Sequence, residues 1–144
     1  MPNLNAIPNA VVSFLNNGTF TIPFTAVKKF YPTMERSDYK DLKVYVMLPL
    51  TKTMNLESRR IGVDNRLGVS LMVRKQVDKT NDAKMEEILN LCDEICDYLF
   101  GVLIPNTKFQ CIDIQFDALG DLDDLEVEGI FTGAFTFTYI DLNR

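Results

Sequence analysis

The sequence predicts an α+β domain built on a mostly antiparallel β-sheet. Three observations support this fold class: an amphipathic helical pattern near residue 90, several runs in which apolar and polar side chains alternate, and strand-like runs that follow one another without helices between them. The predicted order along the chain is α-β-β-β-α-β-β. Because 144 residues with 47% hydrophobic content can bury a sizeable core, we expect one domain that spans residues 1–144.

The first two elements are predicted over residues 7–18 and 19–32. "IPNAVVSFLNNG" reads as a short helix with Pro8 in its first turn and Gly18 in the left-handed conformation at its end. The second range alternates apolar and polar residues as a strand does. Because Pro23 cannot donate a ladder hydrogen bond, we expect this strand to lie at an edge or to be broken there.

A hairpin with an unusually long connection is predicted in the middle of the chain. Residues 33–42 are predicted as a loop, and 42–50 and 66–77 as paired antiparallel strands, the first of them central because it is apolar on both faces. Hairpin loops usually contain two to five residues, whereas this connection, residues 51–66, has about fifteen. We call residues 51–66 the arm.

The second half of the chain shows the clearest periodicity. Residues 80–101 form an amphipathic helix with an acidic outer side, and Gly101 can end it. Residues 109–119 and 129–140 alternate as strands with one core-facing side each. The predicted core side of the helix consists of Met85, Ile88, Cys92, Ile95 and Leu99.

The three cysteines are predicted to be reduced core thiols. Cys92 and Cys96 lie one helical turn apart within an apolar pattern, and Cys111 begins a strand-like run. A zinc site would need a fourth ligand, and the sequence contains no histidine to supply it.

The composition argues against an enzyme and against nucleic-acid wrapping. Without histidine there is no Ser-His or Cys-His arrangement, and neither G-x-G-x-x-G nor G-x-x-x-x-G-K-[ST] occurs. We therefore expect no catalytic residues, no cofactor and no metal. A net charge of -5 disfavours binding to phosphates, although acidic walls suit a channel through which DNA slides.

No membrane or export segment is expected. The start of the chain has no basic region followed by an apolar run, and no segment approaches the roughly 20 apolar residues that span a bilayer.

One dense acidic segment, "DALGDLDDLEVEG" at 117–129, contains no basic residue. Its spacing does not match the calcium loop D-x-[DN]-x-[DN]-G. It can be a solvated loop between strands, an acidic surface that faces a partner or a DNA channel, or a metal site. The acidic residues are Asp117, Asp121, Asp123, Asp124, Glu126 and Glu128.

The arm is the second candidate surface. A solvated excursion is one interpretation, but long loops in compact domains are often functional, and arginine suits interfaces because its planar fork pairs with carboxylates. Because the arm supplies arginines and the rest of the chain supplies acidic residues, copies of the chain could be complementary in charge. Head-to-tail contacts of that kind can close into a ring. The charged residues of the arm are Glu57, Arg59, Arg60, Asp64 and Arg66.

The whole chain resembles a known family in its order of elements. A short N-terminal helix, "GTFTIPFTAVKKFYPTMERSDYKDLKVYVMLP", a charged arm leading to "GVSLMVRKQV", an acidic amphipathic helix and a closing "FTGAFTFTYIDL" strand are similar to the neck proteins of tailed bacteriophages. The nearest likeness is to tail terminator, or tail completion, proteins. No single motif in it is diagnostic.

The resemblance implies a non-enzymatic virion subunit made in the host cytoplasm. Such a subunit forms a homohexameric ring on the tail tube, ends tube polymerisation, and contacts the tail tube protein and the head-completion or stopper protein. DNA would pass through its channel without specific binding. The family fixes no interface positions by motif, so none is carried over. Head-tail adaptors and stoppers of the same neck are alternative identities.

Two further functions stay open from the residues. The carboxylates of 117–128 could serve a metal-dependent hydrolase on oxygen ligands alone. An exposed sheet edge, such as the strand near Pro23, could bind a peptide by adding a strand.

Overall fold

The structure of the protein is a computed structural model that describes residues 3–31, 40–56, 63–77, 82–118 and 130–142. The order α-β-β-β-α-β-β is confirmed. The elements are α1 (Asn3–Asn16), β1 (Ala26–Lys28), β2 (Lys43–Leu56), β3 (Val63–Gln76), α2 (Asp82–Leu99), β4 (Phe109–Ala118) and β5 (Ile130–Asp141).

The described strands form one five-stranded sheet in the order β1-β2-β3-β5-β4. Three of the four neighbouring pairs are antiparallel, whereas β1 runs parallel to β2. The predicted α+β class with a mostly antiparallel sheet is confirmed. The last strand, β5, lies inside the sheet, where its alternation of aromatic and threonine residues supplies one core face and one polar face.

Both helices pack on one face of the sheet, which we call the helix face. Alternate residues of β3 and β5 point into this core because side chains of a strand alternate between faces. They meet apolar residues of α1 and α2 in one contiguous cluster. The buried members from β3 and β5 are Leu67, Val69, Leu71, Val73, Phe131, Phe135, Phe137 and Tyr139.

The opposite face, which we call the second face, is mostly polar. A small apolar cluster of Tyr45, Met72 and Ile130 lies there. Beside it, the buried Arg74 donates a hydrogen bond from Nε to Thr132 Oγ1 at 3.0 Å, so its charged group is not left without partners.

The first helix differs from its prediction at both ends. It begins at Asn3 rather than at residue 7, so Pro8 lies inside the helix and not in its first turn. Burial of an apolar stripe that includes Ile7 and Val11 offsets the hydrogen bond that proline cannot donate. Gly18 is not left-handed. A Cβ there would lie 2.8 Å from Tyr98 Cζ, so close packing on α2 requires the glycine.

The strand predicted over residues 19–32 is much shorter than expected. Of the described residues 19–31, only Ala26–Lys28 forms a strand of the sheet, and it lies at an edge. Pro23 precedes this strand, so the expected break is confirmed. The aromatic side chains before it pack on the helices instead: the Phe20 ring centroid lies 5.2 Å from that of Tyr98.

The amphipathic helix is confirmed as α2. Its predicted apolar side faces the core, with Met85 half-buried and the rest buried, while Glu86, Asp93 and Asp97 are exposed. Gly101 adopts φ 74° just beyond its end, as the capping prediction requires. Neither described helix is long and apolar enough to cross a membrane.

Candidate functional site

The arm, predicted as the long connection of an extended hairpin, is largely a two-stranded ribbon. β2 and β3 pair from Thr51 opposite Gly68 to Leu56 opposite Val63. Their antiparallel pairing confirms the predicted hairpin, but the strands extend well into residues 51–66. Only residues 57–62 separate the two described strands, and they lie outside the described part of the chain.

The ribbon extends beyond the rest of the sheet. β5 pairs with β3 no further than Arg66, which is opposite Ile140, and β1 pairs with β2 only at residues 44–46. The arm residues 51–56 are all exposed, and Met54 and Leu56 keep 56% and 81% of their surface accessible. Apolar side chains on a protruding ribbon are typical of a contact surface.

The base of the ribbon has a distinct geometry. The register shifts between Met47 and Thr51, where β2 carries a bulge, and Leu48-Pro49 is a cis peptide bond. Pro49 therefore sits at an irregularity, where a strand tolerates a missing donor. Ser70 Oγ donates a hydrogen bond to the Pro49 carbonyl at 3.0 Å, which ties the bulge to β3.

Two of the five predicted arm charges form a local pair. Arg66 Nε donates to both carboxylate oxygens of Asp64, each at 3.2 Å, on the exposed surface. Such a pair contributes little to stability, because solvent screens it. Glu57, Arg59 and Arg60 lie outside the described residues, so their predicted role stays a prediction.

A polar contact that the sequence did not predict joins the ribbon to β5. The buried side chains of Asn65 and Asp141 meet, with Asn65 Nδ2 donating to Asp141 Oδ2 at 3.4 Å. Asn65 Oδ1 is buried and has no partner among the described residues. Neither residue stands out in the sequence, because the contact spans 76 positions.

The acidic segment is described only where it begins. Asp117 is exposed near the end of β4. Asp121, Asp123, Asp124, Glu126 and Glu128 lie outside the described residues, so the choice among loop, acidic surface and metal site is not tested. Within the described ranges, no group of three or more cysteine, aspartate or glutamate side chains could hold a metal ion.

The three cysteines are free thiols in the core, as predicted. Burial raises the pKa of Cys92 to about 12 and that of Cys111 to about 11, and it also raises the pKa of the half-buried Cys96, helped by the nearby Asp93. Because the thiolate is the reactive form, these groups are poor nucleophiles near neutral pH.

No family of known proteins matches this sequence, and no curated protein matches it. Among solved structures, the chain is similar to one described as "Virion of native gene transfer agent (GTA) particle". The identity is 10% and the TM-score 0.49, and the match covers 90% of this chain and 82% of that chain. We infer no function from a likeness at this level.

Proposed function

We propose that the protein is a structural subunit of a bacteriophage neck that forms a ring, caps the tail tube and joins the tail to the head-completion proteins. The observation that carries this proposal is the arm, a ribbon that leaves the sheet with exposed Met54 and Leu56 at its outer part. An isolated two-stranded ribbon is at best marginally stable in water, so it gains most from a surface to dock on.

The chemistry of the described residues supports a structural role. The thiols have raised pKa values, and the polar side chains are spread along the edges and faces of the sheet. We therefore propose that the chain is not an enzyme and binds no cofactor. Its net charge of -5 suits a ring through which DNA passes without sticking, because like charges repel.

The proposed partners are further copies of the chain, the tail tube protein and the head-completion or stopper protein. In this arrangement the arm reaches a neighbouring subunit or the tube. The nearest variant of the proposal is that the chain is another component of the same neck, such as the adaptor or the stopper. In that case it would bind a different face of the neck assembly. The protein would be found in the virion after synthesis in the host cytoplasm.

The arm is tested by reversing its two adjacent arginines. We expect Arg59→Glu with Arg60→Glu to weaken ring assembly or co-sedimentation with tail tubes. Acidic residues of the partner surface would attract the two arginines but repel two glutamates. Circular dichroism should show an unchanged fold, since the described core contains neither residue.

A matched control is Lys84→Glu with Lys108→Glu, which changes the net charge by the same amount at exposed positions away from the arm. The control should assemble and dock as the unmodified chain does. Normal assembly and docking by the arm variant would overturn the proposed role of the arm.

A second candidate function is peptide binding at a sheet edge. From Asp113 to Ala118, β4 has no described strand on its outer side, so its backbone groups could pair with an added strand. The edge near Pro23 is less suitable: β1 has only three residues, and Asn16 hydrogen-bonds both backbone groups of Ala26. Binding of unrelated extended peptides by a monomer would favour this function.

A further inference from the structure

One outer edge of the sheet is basic. β1 ends with Lys28 and is followed by Lys29, both exposed. Their ammonium groups lie 5.6 Å from the ring centroid of Phe30 and 5.9 Å from that of Tyr45, respectively, as in cation–π contacts. Tyr31 is 81% exposed beside them. We call residues 27–31 the basic edge.

The opposite outer edge is acidic. β4 carries Asp113 and Asp117, both exposed, and its sequence contains no basic residue. α2, which packs on the helix face, carries further exposed acidic residues, Asp93 and Asp97. We call Asp113 and Asp117 the acidic edge. Exposed apolar side chains lie near the start of β4 as well, at Phe100 and Leu103.

The strand register places the two edges at the same height along the sheet. One row of cross-strand partners begins at Lys28. It runs through Val46 on β2, Leu71 on β3 and Phe135 on β5 to Phe116 on β4. This row ends between the two aspartates of the acidic edge.

The neighbouring row leads from β1 to one of those aspartates. It runs from Val27 through Tyr45, Met72 and Ala134 to Asp117. A second copy placed beside β4, and rotated to follow the twist of the sheet, would therefore bring its basic edge next to the acidic edge of the first.

We propose that copies of the chain associate side by side, with the basic edge of one against the acidic edge of the next. This proposal rests on the proposed ring and names its lateral contact. The two surfaces differ, so the contact is head-to-tail, which is the type that closes into rings or continues as filaments. Side chains make the contact, because Asn16 occupies both outward backbone groups of Ala26 and so blocks an added strand there.

The test exchanges the charges of the two edges. Variant one carries Lys28→Glu and Lys29→Glu, and variant two carries Asp113→Lys and Asp117→Lys. Each variant alone brings like charges together, so we expect the concentration needed for ring formation to rise about tenfold or more. An equimolar mixture pairs opposite charges at every contact and should restore rings with alternating subunits, as measured by light scattering and negative-stain imaging.

A chain with all four substitutions is the matched control. It keeps the net charge of the unmodified protein while exchanging the signs of the edges, so it should form rings alone. If either variant with two substitutions forms rings at the concentration at which the unmodified chain does, the proposed edge contact is wrong, while the proposed ring is not affected. Failure of the mixture to assemble would also overturn it. Absence of rings from the unmodified chain, alone and on tail tubes, would instead refute the proposed function.

Discussion

β2 and β3 run through both the sheet body and the arm, but these two regions bury very different amounts of surface. In the body, Leu67, Val69, Leu71 and Val73 of β3 are at most 1% exposed. In the arm, residues 51–56 of β2 are all exposed. Because burial of apolar surface is the main stabilising term, the body holds the fold together, whereas the arm contributes mainly ladder hydrogen bonds and the contact of Asn65 with Asp141.

The largest expected effect is a loss of stability caused by a substitution in the core of the sheet body. Phe135 is 1% exposed and packs against Phe116 and Phe137, with ring centroids 4.6 and 5.6 Å away. Phe135→Ala should lower the free energy of unfolding by about 3–5 kcal/mol in chemical denaturation, because it leaves a cavity. A loss under about 1 kcal/mol would mean that the body does not carry the stability.

Because the buried thiols have raised pKa values, we expect the free energy of unfolding to fall in alkaline solution. Burial raises the pKa of Cys92 from 9.0 to about 12 and that of Cys111 from 9.0 to about 11. Their contribution is complete below pH 9, where both folded and unfolded thiols are protonated, and it falls as pH rises from 9 towards the folded values. Each thiol should reduce the free energy of unfolding by up to about 1.4 kcal/mol per pH unit in this window.

The control for the alkaline effect is Cys92→Ala, which should be less stable at neutral pH but lose stability less steeply between pH 9 and 11. Denaturation midpoints at several pH values measure both slopes. Equal slopes for the variant and the unmodified chain would exclude the Cys92 thiol as the cause.

A smaller effect is expected where body and arm meet. Gly68 lies opposite Thr51, and a Cβ at Gly68 would collide with Thr51 Oγ1. Gly68→Ala should cost about 1 kcal/mol of unfolding free energy, because the threonine must leave its rotamer. Adding Thr51→Ala should recover most of that loss, since the next atom, Thr51 Cβ, lies at an ordinary 3.4 Å. If the double variant recovers no stability, the loss in Gly68→Ala does not come from the contact with Thr51.

The smallest effect on stability is expected in the arm itself. Met54→Ser with Leu56→Ser removes exposed apolar side chains, so the free energy of unfolding should change by less than about 0.5 kcal/mol. The same variant should dock more weakly in co-sedimentation with tail tubes. A loss of stability comparable to that of Phe135→Ala would show that the arm belongs to the core.

The sequence predicted those elements whose pattern reflects burial on one side. The spacing of apolar residues defined α2, and alternation defined β4 and β5, because each packs one face on the core. The arm was predicted as the long connection of an extended hairpin, but the length of its strands was not predicted. Residues 51–56 of β2 are all exposed, so their ladder pairing leaves no alternation in the sequence.

The long-range arrangement could not be predicted from local patterns. The parallel pairing of β1 with β2 and the insertion of β5 between β3 and β4 join residues that are distant in the chain. The alignment of Val27 with Asp117 follows only from that strand order. The extension of α1 past Pro8 was missed because packing overrides the local preference of proline.

The most direct test of the central claim is the mass of the purified protein in solution, by light scattering at low ionic strength, with negative-stain images of the same sample. We expect a closed ring of about six subunits, which should dissociate as salt screens the contact between the edges. A monomer at low salt that also fails to co-sediment with tail tubes would contradict the account.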